Sequence, residues 1–386
     1  MNQGLPSFQP TTTNLSSHID RLMTHLTSNL LTSHSASSSL PHPRESGSTI
    51  AVIKASSSSP ILLSVRECNL LRSLFSSSPM DQSSAAQGHV THDFPPFFKV
   101  YSDGRVERYK MFGEDERIPA GEDSVTGVRS KDVIISSETG VSTRIWIPRM
   151  YTTRKLPLLI HYHGGGFCVG SPFDSVGERF FSRIVPKANV VAISIDYRLA
   201  PENPLPTAHE DAFEALKWLA SHSGGHGPEP WINEYADLHR TFLSGESAGG
   251  NIAHYAAIRA GTTSLTGLRI VGSIVVHPFF VGKEPDKMIM FMCPGSPGTE
   301  EDPLINPAVD PNLPAMAGER VLVCIAERDG LRDRGVKYYE TLRDSQWTGK
   351  VELEETFEED HCFHMFKRTD KADQLLQRMA DFINRD

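Results

Sequence analysis

The chain has 386 residues, 39% of them apolar and 22% charged, with a formal net charge of −9 at pH 7. These values are typical of a globular protein with one large domain and some additional chain. The acidic balance argues against nucleic-acid binding, which needs clustered Lys and Arg, and the absence of an apolar run of about 18 residues argues against a membrane span.

The first 79 residues are rich in serine and poor in acidic residues, and their apolar residues show no sustained periodicity. Such a segment cannot bury enough apolar surface to offset its chain entropy, so we predict a disordered extension over 1–79. The same composition resembles a plastid transit peptide, which would place the protein in the plastid. The alternatives are that the extension is a disordered tail or that the chain starts at Met80, and the alternative location is the cytoplasm. Residues 80–386 form the predicted structured domain.

The chain from Phe97 onward shows strand patterns around two turns. One turn is Ser102-Asp103-Gly104 and the other is Glu138-Thr139-Gly140, and each is flanked by residues with β propensity. We therefore predict two hairpins. Their strands are 97–101, 105–109, 131–136 and 142–147.

Further along the chain, nearly continuous apolar runs alternate with helical patterns. Runs of this kind are typical of strands that are covered on both faces, as in a parallel sheet. The predicted strands are 156–162, 190–195, 241–244, 270–276 and 321–326. The predicted helices between or after them are 211–221, 251–260 and 331–342. This alternation predicts the α/β class, with a doubly wound sheet.

The five cysteines are far apart in the sequence, and no pair has CxxC spacing. They are Cys68, Cys168, Cys293, Cys324 and Cys362. We therefore expect neither a zinc site nor a disulfide framework, and the small number of cysteines fits a reducing compartment.

The motif Gly-Glu-Ser-Ala-Gly at 245–249 lies between a predicted strand and a predicted helix. A turn from strand to helix within one residue forces Ser247 into a strained conformation that exposes its hydroxyl. The following helix contributes its positive N-terminal end and the free amide of Ala248. Ser247 is the candidate nucleophile.

A second motif, His163-Gly164-Gly165-Gly166-Phe167, follows the strand 156–162. Glycines allow backbone amides to approach a ligand closely, and such amides stabilise the negative charge that acyl transfer builds on a carbonyl oxygen. A flexible glycine-rich turn is the alternative. The position upstream of the serine motif favours an oxyanion hole formed by residues 163–166 with Ala248.

A serine hydroxyl needs a base that is oriented by a carboxylate, and in this kind of fold the order along the chain is Ser, acid, His. Asp329 follows the strand 321–326 and is the favoured acid, while Asp333, a turn into the next helix, is the alternative. His361 follows a predicted strand over 351–357 and is the favoured base. His364 is interpreted as a structural residue at the start of the last helix.

Together these motifs resemble the plant carboxylesterase family, in the hormone-sensitive-lipase-like branch of the α/β-hydrolases. The resemblance covers roughly residues 90–386 and rests on the following segments: 163–167, 196–202 with Pro204 and Pro206, 245–250, 329–335 and 360–363. It implies an α/β-hydrolase fold, with a mostly parallel central sheet, helices on both faces and an N-terminal cap around residues 94–101.

The resemblance also implies the roles of the site residues. Ser247 would be the nucleophile, His361 the general base and Asp329 its orienting acid, with an oxyanion hole from the amides of Gly164, Gly165, Gly166 and Ala248. No cofactor is implied, and the partner is a small-molecule ester. The sequence does not indicate the oligomeric state.

Three classes of function remain open. Hydrolysis of short- to medium-chain esters through an acyl-enzyme is the favoured one, and intramolecular acyl transfer that releases a lactone is a variant of it. A lyase is the second class; dehydratases of this family often carry Thr in the oxyanion motif, whereas this chain has His-Gly-Gly-Gly. A hormone receptor is the third, and His361 counts against it because such receptors lack the catalytic histidine.

Overall fold

The computed structural model describes residues 88–110, 117–149 and 154–385. The predicted extension over 1–79 lies outside these residues. Within the described ranges, every helix is too short or too polar to cross a lipid bilayer.

A small antiparallel sheet opens the described chain, with strands β1 (Val90–Phe94), β2 (Phe98–Tyr101) and β3 (Val106–Arg108) in that spatial order. The predicted first hairpin is β2 and β3, and its turn is closed by a hydrogen bond from the Gly104 amide to the Tyr101 carbonyl. Gly104 has φ +84°, a value that glycine adopts readily. Strand β1 was not predicted; it is short and mostly exposed, so its sequence lacks an apolar pattern.

The main sheet has eight strands in the order β11-β10-β9-β8-β6-β7-β5-β4. The strands are β4 (Arg129–Ile134), β5 (Ser142–Ile147), β6 (Leu156–Tyr162), β7 (Val191–Asp196), β8 (Ala236–Glu246), β9 (Ile270–Val276), β10 (Arg320–Ala326) and β11 (Lys350–Thr356). Strands β4 and β5 form the predicted second hairpin, and β5 pairs with β7 antiparallel. The other neighbours pair in parallel, which confirms the α/β class and the mostly parallel sheet.

Helices cover both faces of this sheet, as predicted. They are α1 (Ser175–Ala188), α2 (Thr207–Ala220), α3 (Pro230–Tyr235), α4 (Ala248–Thr262), α5 (Lys287–Met292), α6 (Arg332–Asp344), α7 (Phe363–Phe366) and α8 (Asp370–Asn384). Successive residues of β6 enter different apolar clusters because side chains alternate along a strand. Leu158 and Ile160 belong to the cluster that includes α2 and α4, whereas Leu159 belongs to the cluster with α1 and α8.

The parallel strands bring four loops to one edge of the sheet. The loops that follow β6, β8, β10 and β11 carry Gly164, Ser247, Asp329 and His361, respectively. Because these strands run in the same direction, their carboxyl ends meet at this edge, which is where ligands bind in open α/β sheets. The fold therefore brings the loops that carry the predicted site residues to the same edge of the main sheet.

His209, buried in α2, makes the stability of the fold sensitive to acid. Its Nε2–H donates to Oδ1 of Asn251 at 2.8 Å, and burial lowers its pKa from 6.5 to about 4. The unfolded chain therefore binds a proton more readily than the folded one below pH 6.5. We expect the free energy of unfolding to fall by roughly 3 kcal/mol between pH 6.5 and pH 4 on account of this residue. Urea denaturation at several pH values measures the slope, and His209→Gln, which retains a donor at the Nε2 position, should make it shallower. An identical slope in both proteins would contradict this assignment.

Candidate active site

Ser247 joins strand β8 to helix α4 with φ +54° and ψ −119°, and a positive φ is uncommon for a residue other than glycine. Its backbone is fixed on both sides: the amide donates to Val276 O at 3.0 Å, and the carbonyl accepts from the Phe279 amide at 2.9 Å and the Gly250 amide at 3.1 Å. A strained non-glycine residue persists only where its surroundings hold it in this way. The strain predicted from the sequence is therefore present, and the side chain is half-buried.

The glycines of this turn are required by close backbone contacts. A Cβ on Gly249 would lie 1.9 Å from the carbonyl oxygen of Tyr162, and a Cβ on Gly245 would lie 2.2 Å from the carbonyl oxygen of Gly249. Neither contact can be relieved by rotating a side chain. The turn can form only with glycine at both positions unless the backbone moves.

Gly249→Ala should therefore destabilise the protein. We expect the free energy of unfolding to fall by about 1–3 kcal/mol, the usual cost of forcing an extra methyl group into a packed site. Gly121→Ala is the matched control, because a Cβ there meets no atom within 4 Å. Urea denaturation of both variants measures the difference, and equal stabilities would show that the turn can relax at no cost.

Asp329 and His361 are in direct contact. His361 Nδ1 lies 2.9 Å from Asp329 Oδ2, and the carboxylate is buried while 39% of the imidazole side chain is exposed. The other oxygen of Asp329 accepts from the Leu331 amide at 2.8 Å, which fixes the carboxylate. Because Nδ1–H donates to the carboxylate, the lone pair of Nε2 is left free to accept a proton.

Neither the alternative acid, Asp333, nor the second histidine, His364, takes part in the contact between Asp329 and His361. Asp333 has 80% of its side chain exposed and pairs with Arg332. His364 is fully buried, and its Nε2 is 3.9 Å from a carboxylate oxygen of Glu246. The prediction that His364 begins the last helix is wrong: it lies in the one-turn helix α7, which ends where Lys367 becomes extended, and Thr369 caps the last helix separately.

One cavity of about 130 Å³ contains both Ser247 and His361 in its lining. Its wall also includes the apolar side chains of Phe97, Val176, Phe181, Met365 and Phe366. Within the described residues no hydrogen bond joins the side chains of Ser247 and His361. Such bonds are often long in enzymes without substrate and tighten in the complex.

The glycine turn after β6 lies against the serine. A Cβ on Gly164 would lie 3.1 Å from the Glu246 carbonyl oxygen and 3.5 Å from Cβ of Ser247. Gly165 and Gly166 have φ +111° and +60°, values suited to glycine. In the described part of the chain, the amides of Gly165, Gly166 and Ala248 donate to no protein acceptor. These three amides therefore have no hydrogen bond within the protein to lose if an anion binds.

His163 supports this turn through its ring. Nδ1–H donates to the Gly164 carbonyl at 2.8 Å, the ring stacks on Tyr197 with centroids 4.2 Å apart, and the Tyr197 hydroxyl donates to the His163 carbonyl at 2.7 Å. Burial lowers the pKa of His163, so the ring is neutral at pH 7. Its side chain thus holds the Gly-rich turn in place.

A buried carboxylate next to the serine was not predicted from the sequence. Both oxygens of Glu246 lie within 2.9 Å of His161 Nε2, and His161 Nδ1 is 2.9 Å from Ser194 Oγ. Burial alone would raise the pKa of Glu246, but the contacts with His161 and His364 outweigh it and hold that pKa well below its usual range. The sequence did offer one signal for this contact: His161 lies inside the mostly apolar strand β6, and a buried histidine needs a hydrogen-bond partner.

His277, His361 and Cys362 each bring one possible metal ligand within 4.8 Å of the others. His361 already donates to Asp329, and His277 Nδ1 accepts the amide of Cys362 at 2.7 Å. Burial also raises the pKa of the Cys362 thiol, which disfavours the thiolate that zinc prefers. These groups do not fit a resident zinc site, and no step is derived through a metal.

Three features of this site are typical of an α/β-hydrolase. They are a strained serine between a strand and a helix, a Gly-rich turn beside that serine, and a carboxylate-bound histidine after the last strand. A family model described as alpha/beta hydrolase fold matches residues 159–365. The chain belongs to this family, in its hormone-sensitive-lipase-like branch with the plant carboxylesterases.

Similar proteins include plant carboxylesterases and dehydratases. The chain is 42% identical to Probable carboxylesterase 2 of Arabidopsis thaliana, over 76% of this chain and 96% of that protein. It is 39% identical to a 2-hydroxyisoflavanone dehydratase of Glycyrrhiza echinata, over 78% of this chain and 98% of that protein. Among solved structures, the hyperthermophilic esterase from Pyrobaculum calidifontis has 26% identity and a TM-score of 0.55, covering 66% of this chain and 85% of that one. The protein is thus a carboxylesterase-like α/β-hydrolase.

Proposed function

We propose that this protein is a serine carboxylesterase that hydrolyses short-chain carboxylic esters through an acyl-enzyme. The observation that carries the proposal is the contact between His361 and Asp329, together with the cavity that His361 shares with the strained Ser247. A base held in one tautomer, in the same cavity as a serine hydroxyl, is what nucleophilic catalysis by serine needs.

In the first half-reaction, Nε2 of His361 takes the proton of Ser247 Oγ while the oxygen attacks the ester carbonyl carbon. The carbonyl oxygen becomes negatively charged, and the free amides of Gly165, Gly166 and Ala248 stabilise it. Asp329 stabilises the imidazolium that forms. When the intermediate collapses, the bond from carbon to the alcohol oxygen breaks, and His361 returns the proton to the departing alcohol.

In the second half-reaction, His361 takes a proton from water, and the resulting hydroxide attacks the acyl carbon. The same amides stabilise the second oxyanion. The bond to Ser247 Oγ then breaks, the proton returns to the serine, and the carboxylic acid leaves. The enzyme regains its starting state without a cofactor in any step.

The volume of the cavity limits the length of the acyl group that the protein can bind. An apolar cavity of about 150 Å³ holds one benzene molecule, so the volume of about 130 Å³ here fits an acyl group of up to about six non-hydrogen atoms. We expect kcat/KM for p-nitrophenyl acetate and butyrate to exceed that for the octanoate and decanoate by at least about tenfold, because longer chains must displace the wall. A series of p-nitrophenyl esters measures this, and a maximum at the octanoate or decanoate would contradict the size limit.

The direct test of the proposed function combines labelling with product analysis. An organophosphate should modify Ser247 in a stoichiometric, activity-dependent manner, and peptide mass spectrometry should locate the adduct. Mass spectrometry of the products from short-chain and glycosyl esters should show the free acid and alcohol. Intact, folded protein that neither turns over esters nor takes up the label would contradict the proposal, and a lactone product would indicate intramolecular acyl transfer.

Dehydration is the second candidate, and it is favoured by the similarity to 2-hydroxyisoflavanone dehydratases of Glycyrrhiza echinata and Glycine max, at 39% and 38% identity. In this reaction His361 would take a proton from carbon, the carbon–carbon double bond would form as the adjacent C–O bond breaks, and the proton would pass from His361 to the hydroxyl, which leaves as water. Ser247→Ala should then retain some turnover of a 2-hydroxyisoflavanone while His361→Ala should not. Equal loss in both variants would count against a dehydratase.

A further inference from the structure

His277 is a buried residue immediately after strand β9, and the reaction described above does not use it. It adopts a left-handed conformation with φ +47°, and its amide donates to the Cys324 carbonyl at 2.8 Å, which ties it to the end of β10. Only 1% of the residue is exposed. Its ring centroid is 5.8 Å from that of His361.

The hydrogen bond at Nδ1 fixes the state of this ring. The Cys362 amide lies 2.7 Å from His277 Nδ1, and because a backbone amide can only donate, Nδ1 must carry a lone pair rather than a proton. The proton of the neutral ring is therefore on Nε2, an atom that is buried and has no partner among the described residues. Burial lowers the pKa of His277 well below its ordinary value, which agrees with a neutral ring. What the imidazole supplies to the structure is thus an acceptor.

The accepted amide belongs to the residue that follows His361. Cys362 has φ +52°, a conformation that a non-glycine residue adopts only where its surroundings hold it. The side chain of His277 accepts the Cys362 amide, and the Met365 amide donates to the Cys362 carbonyl at 2.9 Å. If the bond to His277 is lost, residue 362 can relax, and the backbone that carries His361 moves with it.

We propose that His277 is a positioning residue for the catalytic base: it accepts the Cys362 amide and thereby holds His361 in register with both Asp329 and Ser247. The inference rests on the proposed function, since it assigns a purpose to the position of His361. It explains why a buried imidazole with an unpaired Nε2 directly follows strand β9.

Two substitutions that resemble each other in shape separate the acceptor from the bulk of the side chain. Asn at 277 places Oδ1 near the position of Nδ1 and can accept the Cys362 amide, whereas Leu has a similar size and no acceptor. We expect His277→Leu to lower kcat for p-nitrophenyl acetate by about 100-fold with KM changed by only a few fold, because a shift of about 1 Å in a catalytic group has an effect of this size. His277→Asn should recover kcat to within about tenfold of the unmodified protein.

Each outcome bears on the inference. Equal losses in the two variants would show that ring packing matters and would overturn the acceptor role, as would full activity of His277→Leu. His361→Ala is the reference: if it retains activity, the proposed function fails, whereas an inactive His361→Ala beside a fully active His277→Leu removes only the role of His277. Circular dichroism and the Tm of each variant show whether it is folded.

A measurement on the unmodified protein covers the case in which His277→Leu does not fold. Nitrogen-15 NMR of the histidine rings distinguishes a protonated ring nitrogen from one that carries a lone pair. We expect His277, assigned by comparison with His277→Asn, to be neutral at pH 7 with its proton on Nε2. A proton on Nδ1 would rule out the hydrogen bond from Cys362 and overturn the inference.

Discussion

Ser247→Ala is expected to lower kcat for p-nitrophenyl acetate by roughly 10⁴- to 10⁶-fold, the range found when the serine of a Ser-His-Asp set is removed. The residual rate would come from the oxyanion donors and from substrate binding, which the substitution leaves in place. The main chain at 247 keeps its hydrogen bonds with Val276, Phe279 and Gly250, so we expect the fold to be retained. Stopped-flow and steady-state assays, together with a urea denaturation curve, measure both effects.

Ser171→Ala is the matched control for this experiment. Ser171 also lines the cavity, but its Oγ is bound to a carboxylate oxygen of Asp196 at 3.2 Å. We expect its kcat to stay within a few fold of the unmodified protein, because the hydroxyl takes part in no step of the proposed reaction. Comparable activity of the two variants, with both proteins folded, would refute Ser247 as the nucleophile.

The buried strands could be predicted from the sequence because their composition is almost entirely apolar. The strand predicted over 156–162 matches β6 at both ends, and that over 270–276 matches β9. The strand predicted at 241–244 extends in the structure to Ala236–Glu246. Its first half alternates between buried and exposed positions, so a search for continuous apolar runs found only the second half.

Helix α1 was missed because its sequence contains two residues that usually interrupt helices. Gly177 lies near its start and Pro186 near its end. Asp174 caps the helix by accepting from the amides of residues 176 and 177, and Pro186 lies in the last turn. Packing of Phe180 and Phe181 in the core outweighs the poor local propensity of these positions.

The site divides into a part that the sequence reveals and a part that it does not. Ser247, Asp329 and His361 could be proposed because each follows a recognisable strand in the order that the fold requires. The contacts of Glu246 with His161 and of Cys362 with His277 could not, since each joins residues 85 positions apart. A sequence pattern reports neighbours along the chain, whereas these pairs meet only because the parallel strands end at the same edge of the sheet.

Asp329→Asn should have the second large effect, and it tests the acid that the sequence left open. The carboxylate accepts Nδ1–H of His361, and an amide in its place can donate to Nδ1 instead. The ring would then hold its proton on Nε2, where it cannot take another from Ser247. We expect kcat for p-nitrophenyl acetate to fall by roughly 10⁴-fold with little change in KM, as is typical when this acid becomes an amide.

Asp333→Asn provides the comparison, because it makes the same chemical change four residues along the chain. Its side chain is 80% exposed and contacts Arg332, and an exposed ion pair of this kind contributes about 0–1 kcal/mol to stability. Its kcat should therefore remain within about twofold of the unmodified protein. If Asp333→Asn lost activity and Asp329→Asn kept it, the orienting acid would be the other aspartate, and the contact at 2.9 Å would have only a structural role. The pair of variants thus decides whether a buried carboxylate controls the tautomer of His361, which is the condition for every proton transfer in the proposed reaction.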